Sequence, residues 1–408
     1  MVQTSRPVYG GVDTHKDLHV AAVVDEAGRI LDTASFATTK GGYRQLLAWL
    51  CRHGDLIRVG VEGTGSYGLG LARHLADHGV DVVEVNRPNR QARRRRGKND
   101  VVDAEAAARA ALNGDATAQP KRHDGVVESI RVLRIAFTSS RNTRTKVINQ
   151  IHALVVCAPE GLRRDLENLN NTACVERCAR FRPGDTIDPT EATKAALRTL
   201  ARQHQALTAD IETIRGELDR LTKVVNPALC AALGVGSDVA SILLIAAGDN
   251  PERLTSDAAF AALCGASPIE ASSGKTVRHR LNQGGNRQAN HALWRIAMTR
   301  LMSDPRTKAY AQRRRAEGRS TREIIRCLKR YIAREIYRHL TDPQPPAAPG
   351  PSLRERRLAL NLTQTDIATA LGTQGQRISN IETGYRASAA LTERYSAWLN
   401  QHEATCAA

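Results

Sequence analysis

Tyr9-Gly-Gly-Val-Asp-Thr-His-Lys16 carries a short apolar strand pattern that ends on a carboxylate, Asp13. Ile57-Arg-Val-Gly-Val-Glu62 ends the same way, on Glu62, and runs into a glycine-rich turn. Around these two stretches, strand-like and helix-like patterns alternate from residue 8 to about 115. Val20 to Val24 and Arg29 to Leu31 read as a hairpin turning at Asp25-Glu-Ala-Gly28. Gly42 to Arg52 has helical spacing through Leu46, Leu47 and Leu50. Ile57 to Val61 reads as a buried strand, Leu69 to His78 as a helix and Asp81 to Val85 as a further strand. This alternation predicts an α/β layer with a mixed sheet.

Two more acids stand at the head of an alanine-rich helix, Asp100-Val-Val-Asp-Ala-Glu-Ala-Ala-Ala108. Asp100 and Asp103, taken alone, fit a helix cap with a first-turn acid favoured by the dipole. Asp13 and Glu62, apolar-flanked at strand ends, are harder to explain that way. Adjacent strand ends lie close together, and the following helix can place acids three apart over them. A pair of carboxylates ~4 Å apart costs roughly 4 kcal/mol at an effective dielectric near 20. A cluster of Asp13, Glu62, Asp100 and Asp103 therefore implies a cation, and hard oxygen ligands with open positions suit Mg²⁺ on phosphate oxygens.

The charge balance points to a polyanionic partner. The 408 residues carry a net charge of +17, and each neutralised phosphate releases counterions. Arg87 to Lys98, with Arg93, Arg94, Arg95, Arg96 and Lys98, holds seven basic residues and no acid. Arg306 to Arg338 is similarly dense. Aromatic residues make up only 4%, so stacking of single-stranded bases is not expected to dominate. Eight cysteines are scattered without a framework; Cys174 and Cys178 lack the second pair or nearby histidine of a zinc set. With no signal peptide and no apolar run long enough to span a bilayer, a cytoplasmic, nucleoid-associated protein without a membrane partner is expected.

Beyond residue 118 the pattern turns helical. Arg131, Arg134, Arg141 and Arg144 fall on one stripe, which reads equally as a solvated face or a phosphate-binding one. Residues 157 to 190 contain Gly, Pro and Asn breaks and read as a connection. From about 191 to 224, Leu207, Ile211, Ile214, Leu218 and Leu221 form a heptad seam able to pair helices within the chain or between subunits. Leu229-Cys-Ala-Ala-Leu-Gly-Val-Gly-Ser237 opens another unit, its glycines able to present N–H groups to phosphate or simply to turn the chain. Thr341 to Pro351 is proline-rich and marks a semi-rigid linker. The expected organisation is an α/β domain over 1–118, a helical coiled-coil region over 119–225, a mainly α domain over 226–341, a linker over 342–352 and a small all-α tail over 353–408.

The tail resembles the helix-turn-helix of the phage-repressor (Cro-like) family. Leu362 to Gly372 reads as a helix capped by Thr363 and ended by a glycine turn. Gln376 to Gly384 reads as a second helix with Ile378 and Ile381 inward. The resemblance implies that Gln376, Arg377 and Asn380 face bases or phosphates.

Residues 8 to 340 closely resemble the insertion-sequence-110 transposases. The residues that carry the likeness are Gly11-Val-Asp13-Thr-His15, Val61-Glu62-Gly-Thr-Gly65 and Lys98-Asn-Asp100-Val-Val-Asp103-Ala. A later block follows in the right order: Leu263-Cys-Gly-Ala-Ser-Pro268, Ser272-Ser-Gly-Lys275 and Gly285-Asn286-Arg287. The resemblance implies a RuvC/RNase H-like four-carboxylate domain and DNA transposition through both Mg²⁺-bound acids and a serine nucleophile. It also implies a guide RNA that pairs with donor and target DNA, and a homodimer or homotetramer is expected. Ser273, before Gly274, is the serine that fits, with Ser272 as a weaker candidate and Lys275, Arg278, Arg280 and Arg287 as nearby positive charge. Gln283 and Gly284 depart from the family, which often has a basic residue before the Gly-Asn pair. Two competing readings remain: a metal-dependent nuclease or junction resolvase with no use for Ser273, and a non-catalytic DNA-binding regulator built around the tail.

Overall fold

The computed structural model describes residues 6–85, 99–274, 279–280, 282–342, 353–382 and 389–407. Arg93, Arg94, Arg95, Arg96, Lys98, Lys275 and Arg278, and most of the proline-rich linker, lie outside the described residues. The chain divides into two compact units, residues 1–343 and 344–408.

The larger unit begins with a five-stranded sheet. Its strands are β1 (Pro7–Thr14), β2 (Leu18–Asp25), β3 (Ile30–Ala37), β4 (Asp55–Glu62) and β5 (Asp81–Val85). The order is β3-β2-β1-β4-β5. β1 to β3 form an antiparallel meander, while β4 and β5 add in parallel to β1. This is the mixed sheet expected. Helices α1 (Lys40–Arg52) and α2 (Leu69–Asp77) cover one face. Leu46, Leu50, Leu71 and Leu75 bury themselves there against Val12, Val23, Val59 and Val61. α3 (Asp100–Asn113) covers the other face with small side chains, Ala107 and Ala111 packing on Val83 and Val85. One expectation for β4 is corrected. Only Val59, Gly60 and Val61 are buried. Leu56 still packs on the helix-covered core, but Ile57, 44% exposed, is the residue skipped where the register with β1 shifts between Leu56 and Arg58.

The rest of the larger unit is almost wholly helical. α4 (Val126–Val156) is followed by α5 (Glu160–Leu166), α6 (Asn171–Ala179) and the long α7 (Pro189–Val225). Ile130 and Phe137 of α4 share a core with Leu218 and Ile211 of α7, whereas Val147 to Val155 pack with Ala201 and Leu197. The two helices therefore run antiparallel, and the heptad seam pairs helices within the chain. The stretch read as a connection instead holds two short helices, buried through Leu162, Leu166, Cys174 and Cys178. Burial pushes the Cys178 thiol up to about 12, so this pair serves as apolar packing.

α8 (Pro227–Ala231), α9 (Ser237–Ala247), α10 (Asp257–Leu263), the hairpin of β6 (Ile269–Glu270) and β7 (His279–Arg280), α11 (Arg287–Ser303), α12 (Pro305–Ala316) and α13 (Thr321–Thr341) complete the unit. The apolar α9 is central: Leu243 and Leu244 share one core with α4, α7, α11 and α13. Asn226 fixes a corner, accepting from Leu229 N at 2.8 Å and donating to His339 O at 2.6 Å.

The smaller unit holds α14 (Leu353–Ala359), α15 (Gln364–Ala370), α16 (Gly375–Glu382) and α17 (Ala389–Ala407). Thr363 caps α15 in a reciprocal capping box with Asp366, and Gly372 turns the chain at φ 60°. Ile378 and Ile381 face a core with Ile367, Tyr395 and Leu399. Beside that core, Arg357 grips Glu382 through two hydrogen bonds of 2.7 and 3.0 Å, and Tyr395 donates to the same carboxylate at 2.8 Å. Among the described residues, no helix is long and apolar enough to cross a membrane.

Candidate functional site

Four glycine and carboxylate positions on two strands build the acidic site. In the parallel register of β1 and β4, Gly11 pairs with Gly60 and Val12 with Val61, so Glu62 follows directly beside Asp13. Val12, Val59 and Val61 point to the α1/α2 core. By strand alternation, Gly11, Asp13, Gly60 and Glu62 point to α3. The two glycines let that helix rest its backbone on the sheet. A Cβ on Gly11 would lie 2.0 Å from Ala108 N and 2.3 Å from Ala104 O, and one on Gly60 would lie 2.5 Å from Ala107 O. Two residues further along each strand, Asp13 and Glu62 emerge past the start of α3. There Asn99 caps the helix by accepting from Val101 N at 3.1 Å, and Asp100 and Asp103 occupy the first turn, where the helix dipole favours acids. Thr14 ties the strand ends together by donating to Glu62 O at 2.8 Å.

At this corner His15 Nε2 lies 3.2 Å from Asp13 Oδ2 and 3.3 Å from Asp100 Oδ2. Both contacts are close enough for ion pairs but lack the alignment of hydrogen bonds. Ligand atoms from Asp13, His15 and Asp100 all lie within 4.8 Å of one another. Burial raises the Asp13 carboxyl above its ordinary value; His15 opposes this, and the charges of Asp103 and Asp100 add to it. A carboxylate pushed upward by burial and by two like charges marks a place where positive charge is wanted. The donor set of carboxylate oxygens around one point fits a divalent cation. Asp13, Asp100 and Asp103 are thus brought together, with Glu62 on the neighbouring strand. His15 is the residue that sequence reasoning missed as a site member. Its signal was available, since a residue two beyond Asp13 on extended backbone returns to the same side.

On the opposite face, His19 is fully buried and neither ring nitrogen has a hydrogen-bond partner. Burial, with the charge of His15, pulls it down to about 4. It stacks on Tyr43, ring centroids 5.6 Å apart.

Ser273 is exposed on the loop between β6 and β7, just before Gly274 at φ 57°. No hydrogen bond or ion pair joins it to the acids among the described residues, so the larger unit does not by itself bring serine and acids together through direct bonds. The motifs flanking it interlock. A Cβ on Gly285 would lie 2.3 Å from Gly265 N, Asn286 N donates to Leu263 O at 2.6 Å, and the Asn286 side chain caps α11. Asn290 then donates to Cys264 O at 2.8 Å and Gly265 O at 3.1 Å, and Lys329 Nζ donates to Asn290 Oδ1 at 2.9 Å.

The basic residues divide. Arg141, Arg280 and Arg287 are exposed. Arg134 is not: its guanidinium donates to Asp238 at 2.6 Å and Ser241 at 3.0 Å inside the fold. That corrects its assignment to nucleic acid, because Asp238, also paired with Arg295, already neutralises it. In the tail, Gln376 and Arg377 are exposed and Asn380 half-buried on α16, with Gln376 Nε2 donating to Asn380 Oδ1 at 3.1 Å. Arg377, Asn380 and Arg394 border a cavity of about 390 Å³.

Comparison with known families gives three matches. A transposase family of the DEDD, IS110 type matches residues 10–157. The family described as "Transposase IS116/IS110/IS902 family" matches residues 226–312. A helix-turn-helix family matches residues 353–392. The chain is also similar to "Insertion element IS110 uncharacterized 43.6 kDa protein" of Streptomyces coelicolor, 29% identical over 151 residues. That likeness covers 36% of this chain and 35% of the other protein's length.

Proposed function

Because the chain belongs to the IS110 family of transposases, we propose that it is a site-specific DNA recombinase. In this reading it cuts and rejoins phosphodiester linkages with a carboxylate-bound cation and Ser273 as nucleophile. The observation that carries the reading is the convergence of Asp13, Asp100 and His15 within 4.8 Å, with Asp103 acting on Asp13 and Glu62 one strand away. Asp13, Glu62, Asp100 and Asp103 would hold the ion, Mg²⁺ being the best match to hard oxygen donors. When bound, it supplies positive charge against the phosphorane and lowers the cost of deprotonating an oxygen nucleophile.

Ser273 Oγ attacks phosphorus, its proton passing to a carboxylate of the cluster. A serine–phosphate bond forms and the bond from phosphorus to one sugar oxygen breaks, that oxygen taking up a proton. The phosphoserine conserves the bond energy, so a second sugar hydroxyl can reverse the step on a new strand. Since Ser273 and Asp103 lie 170 residues apart in sequence, either the fold or a second copy of the chain in a homodimer or homotetramer must bring the two groups together. The guide is an RNA transcribed from the element's own end, pairing with donor and target DNA. The tail adds duplex binding through Gln376, Arg377 and Asn380. Deleting residues 345–408 should then weaken duplex binding.

The test is strand joining by the full-length protein with Mg²⁺, the element's end DNA and the RNA that copurifies with it. A covalent protein–DNA adduct should form and vanish in Ser273→Ala and in Asp13→Asn. Full joining by Ser273→Ala would point to a different nucleophile, whereas DNA hydrolysis without joining, unaffected by Ser273→Ala, would shift the reading to a nuclease or resolvase. Tolerance of Asp13→Asn in every function would leave only a DNA-binding regulator.

A further inference from the structure

A cleft of about 560 Å³ opens beside the Ser273 hairpin. It is lined by the interlocked turn Gly265 to Pro268, by Arg280 and Asn282, and by the end of α12 with the first half of α13. Six cations line it, Arg280, Arg314, Arg319, Arg326, Lys329 and Arg330, against a single acid, Glu323. Three of the six are already neutralised: Arg314 by Glu317, Arg319 by Glu323 at 3.4 Å and Arg330 by Asp257 at 3.0 Å. Arg280 and Arg326 have no acidic partner among the described residues. Lys329 points its ammonium at the neutral amide oxygen of Asn290. Burial, and then the charge of Arg326, lower Lys329 from its ordinary value. A half-buried ammonium facing a second cation is costly unless an anion completes the set.

Shape and chemistry narrow the anion. The cleft is much larger than one phosphate group, and Tyr331, 56% exposed, stands on its wall edge-on to Tyr310 at 5.8 Å. Cations spaced along a groove with one aromatic face suit a strand of nucleic acid, phosphates on the cations and a base or sugar on the ring. Position narrows it further. Pro268, directly before β6, and Arg280 of β7 both line the cleft, and Ile269 pairs with Arg280 across the hairpin. Ser273 follows the end of β6 by three residues, so the loop that carries it is rooted in the cleft wall.

We propose that this cleft holds the single DNA strand that Ser273 attacks, with Arg280, Arg326 and Lys329 taking its phosphates and Tyr331 its adjacent base. The proposal rests on the serine reading above for the purpose of the strand, but not for its binding. Asn290 accepts from the Lys329 ammonium at 2.9 Å and so fixes where that charge stands.

The probe is a short single-stranded DNA of mixed sequence, titrated against the full-length protein over a range of salt. Arg280→Gln with Arg326→Gln, both exposed side chains, should weaken binding about tenfold and lower the salt slope by about 1.4, the value for two phosphate contacts on a single strand. A photoreactive phenylalanine analogue at position 331 should crosslink to the probe. Ser273→Ala should keep the affinity and the crosslink. An unchanged affinity and slope in the double variant, or no crosslink at 331, would overturn the cleft. So would crosslinking to the matching RNA strand in preference to DNA. Full strand joining by Ser273→Ala with the binding effects intact would overturn the serine reading and leave the cleft standing.

Discussion

Asp13 is 7% exposed, on a central strand with neighbours on both edges and helices over both faces. Ser273 is exposed on a loop between two strands of two residues each. The first position is fixed by backbone-on-backbone packing, which nothing but glycine at 11 and 60 permits. The second rests, among the described residues, on a two-pair hairpin and on a single bridge at Ser273 itself. Chemistry at the acids is therefore bound up with folding, while chemistry at the serine is separable from it. Pre-organisation costs stability where like charges are crowded together, and that cost should be visible in one region and absent in the other.

The largest expected effect is at Gly11. Gly11→Ala puts a Cβ into the backbone of Ala104 and Ala108, so α3 must lift and carry Asp100 and Asp103 with it. A loss of about 3 kcal/mol or more in urea unfolding is expected, together with loss of joining. A variant as stable as the parent would show that α3 does not rest on β1. Next is His19, whose folded form stays neutral down to about 4. Between the ordinary value of 6.5 and about 4 the unfolded chain binds the extra proton. The stability is therefore full above 6.5, falls as pH drops through that window, and levels off below about 4. The drop is at most about 3 kcal/mol, and His19→Leu should flatten this part of the profile. An identical pH slope in the variant would exclude His19 as its source.

A smaller effect tests the crowded charges. In chelator, Asp100→Asn should raise stability by about 1 kcal/mol, because it removes a like charge beside Asp13. The same variant should lose the thermal shift that Mg²⁺ gives the parent protein. A destabilised variant, or one still shifted by Mg²⁺, would break the case for a functional cluster. The smallest effect belongs to the other region: Ser273→Ala should change stability by less than about 0.5 kcal/mol while eliminating the covalent adduct. A large loss of stability there would erase the contrast between the two regions.

What could be read in advance follows the range of each signal. Asp13, Glu62, Asp100 and Asp103 announced themselves because strand ends and a helix start are local patterns, and the heptad from Leu207 to Leu221 repeats often enough to be seen. α5 and α6, seven and nine residues long, hold too few repeats among Pro and Gly breaks. Arg134 looked like its stripe-mates because its partner, Asp238, lies 104 residues away. His15 was in view but overshadowed by the carboxylates. The roles of Gly11 and Gly60 are set by how near α3 comes, which no single strand encodes. The cleft, likewise, is made by residues from 265 to 331 meeting in space.

The antiparallel pair α4 and α7, 31 and 37 residues long, reaches roughly 46 and 55 Å at 1.5 Å per residue. One end is rooted in the core it shares with α9, and the other carries the small Cys174 cluster. Such an arm sets the separation between the two clusters at its ends. Lengthening both helices by seven residues would move its tip outward by about 10 Å on nearly the same bearing, whereas one residue would swing it by about 100°. Related chains whose arms differ in length should therefore differ here in whole heptads.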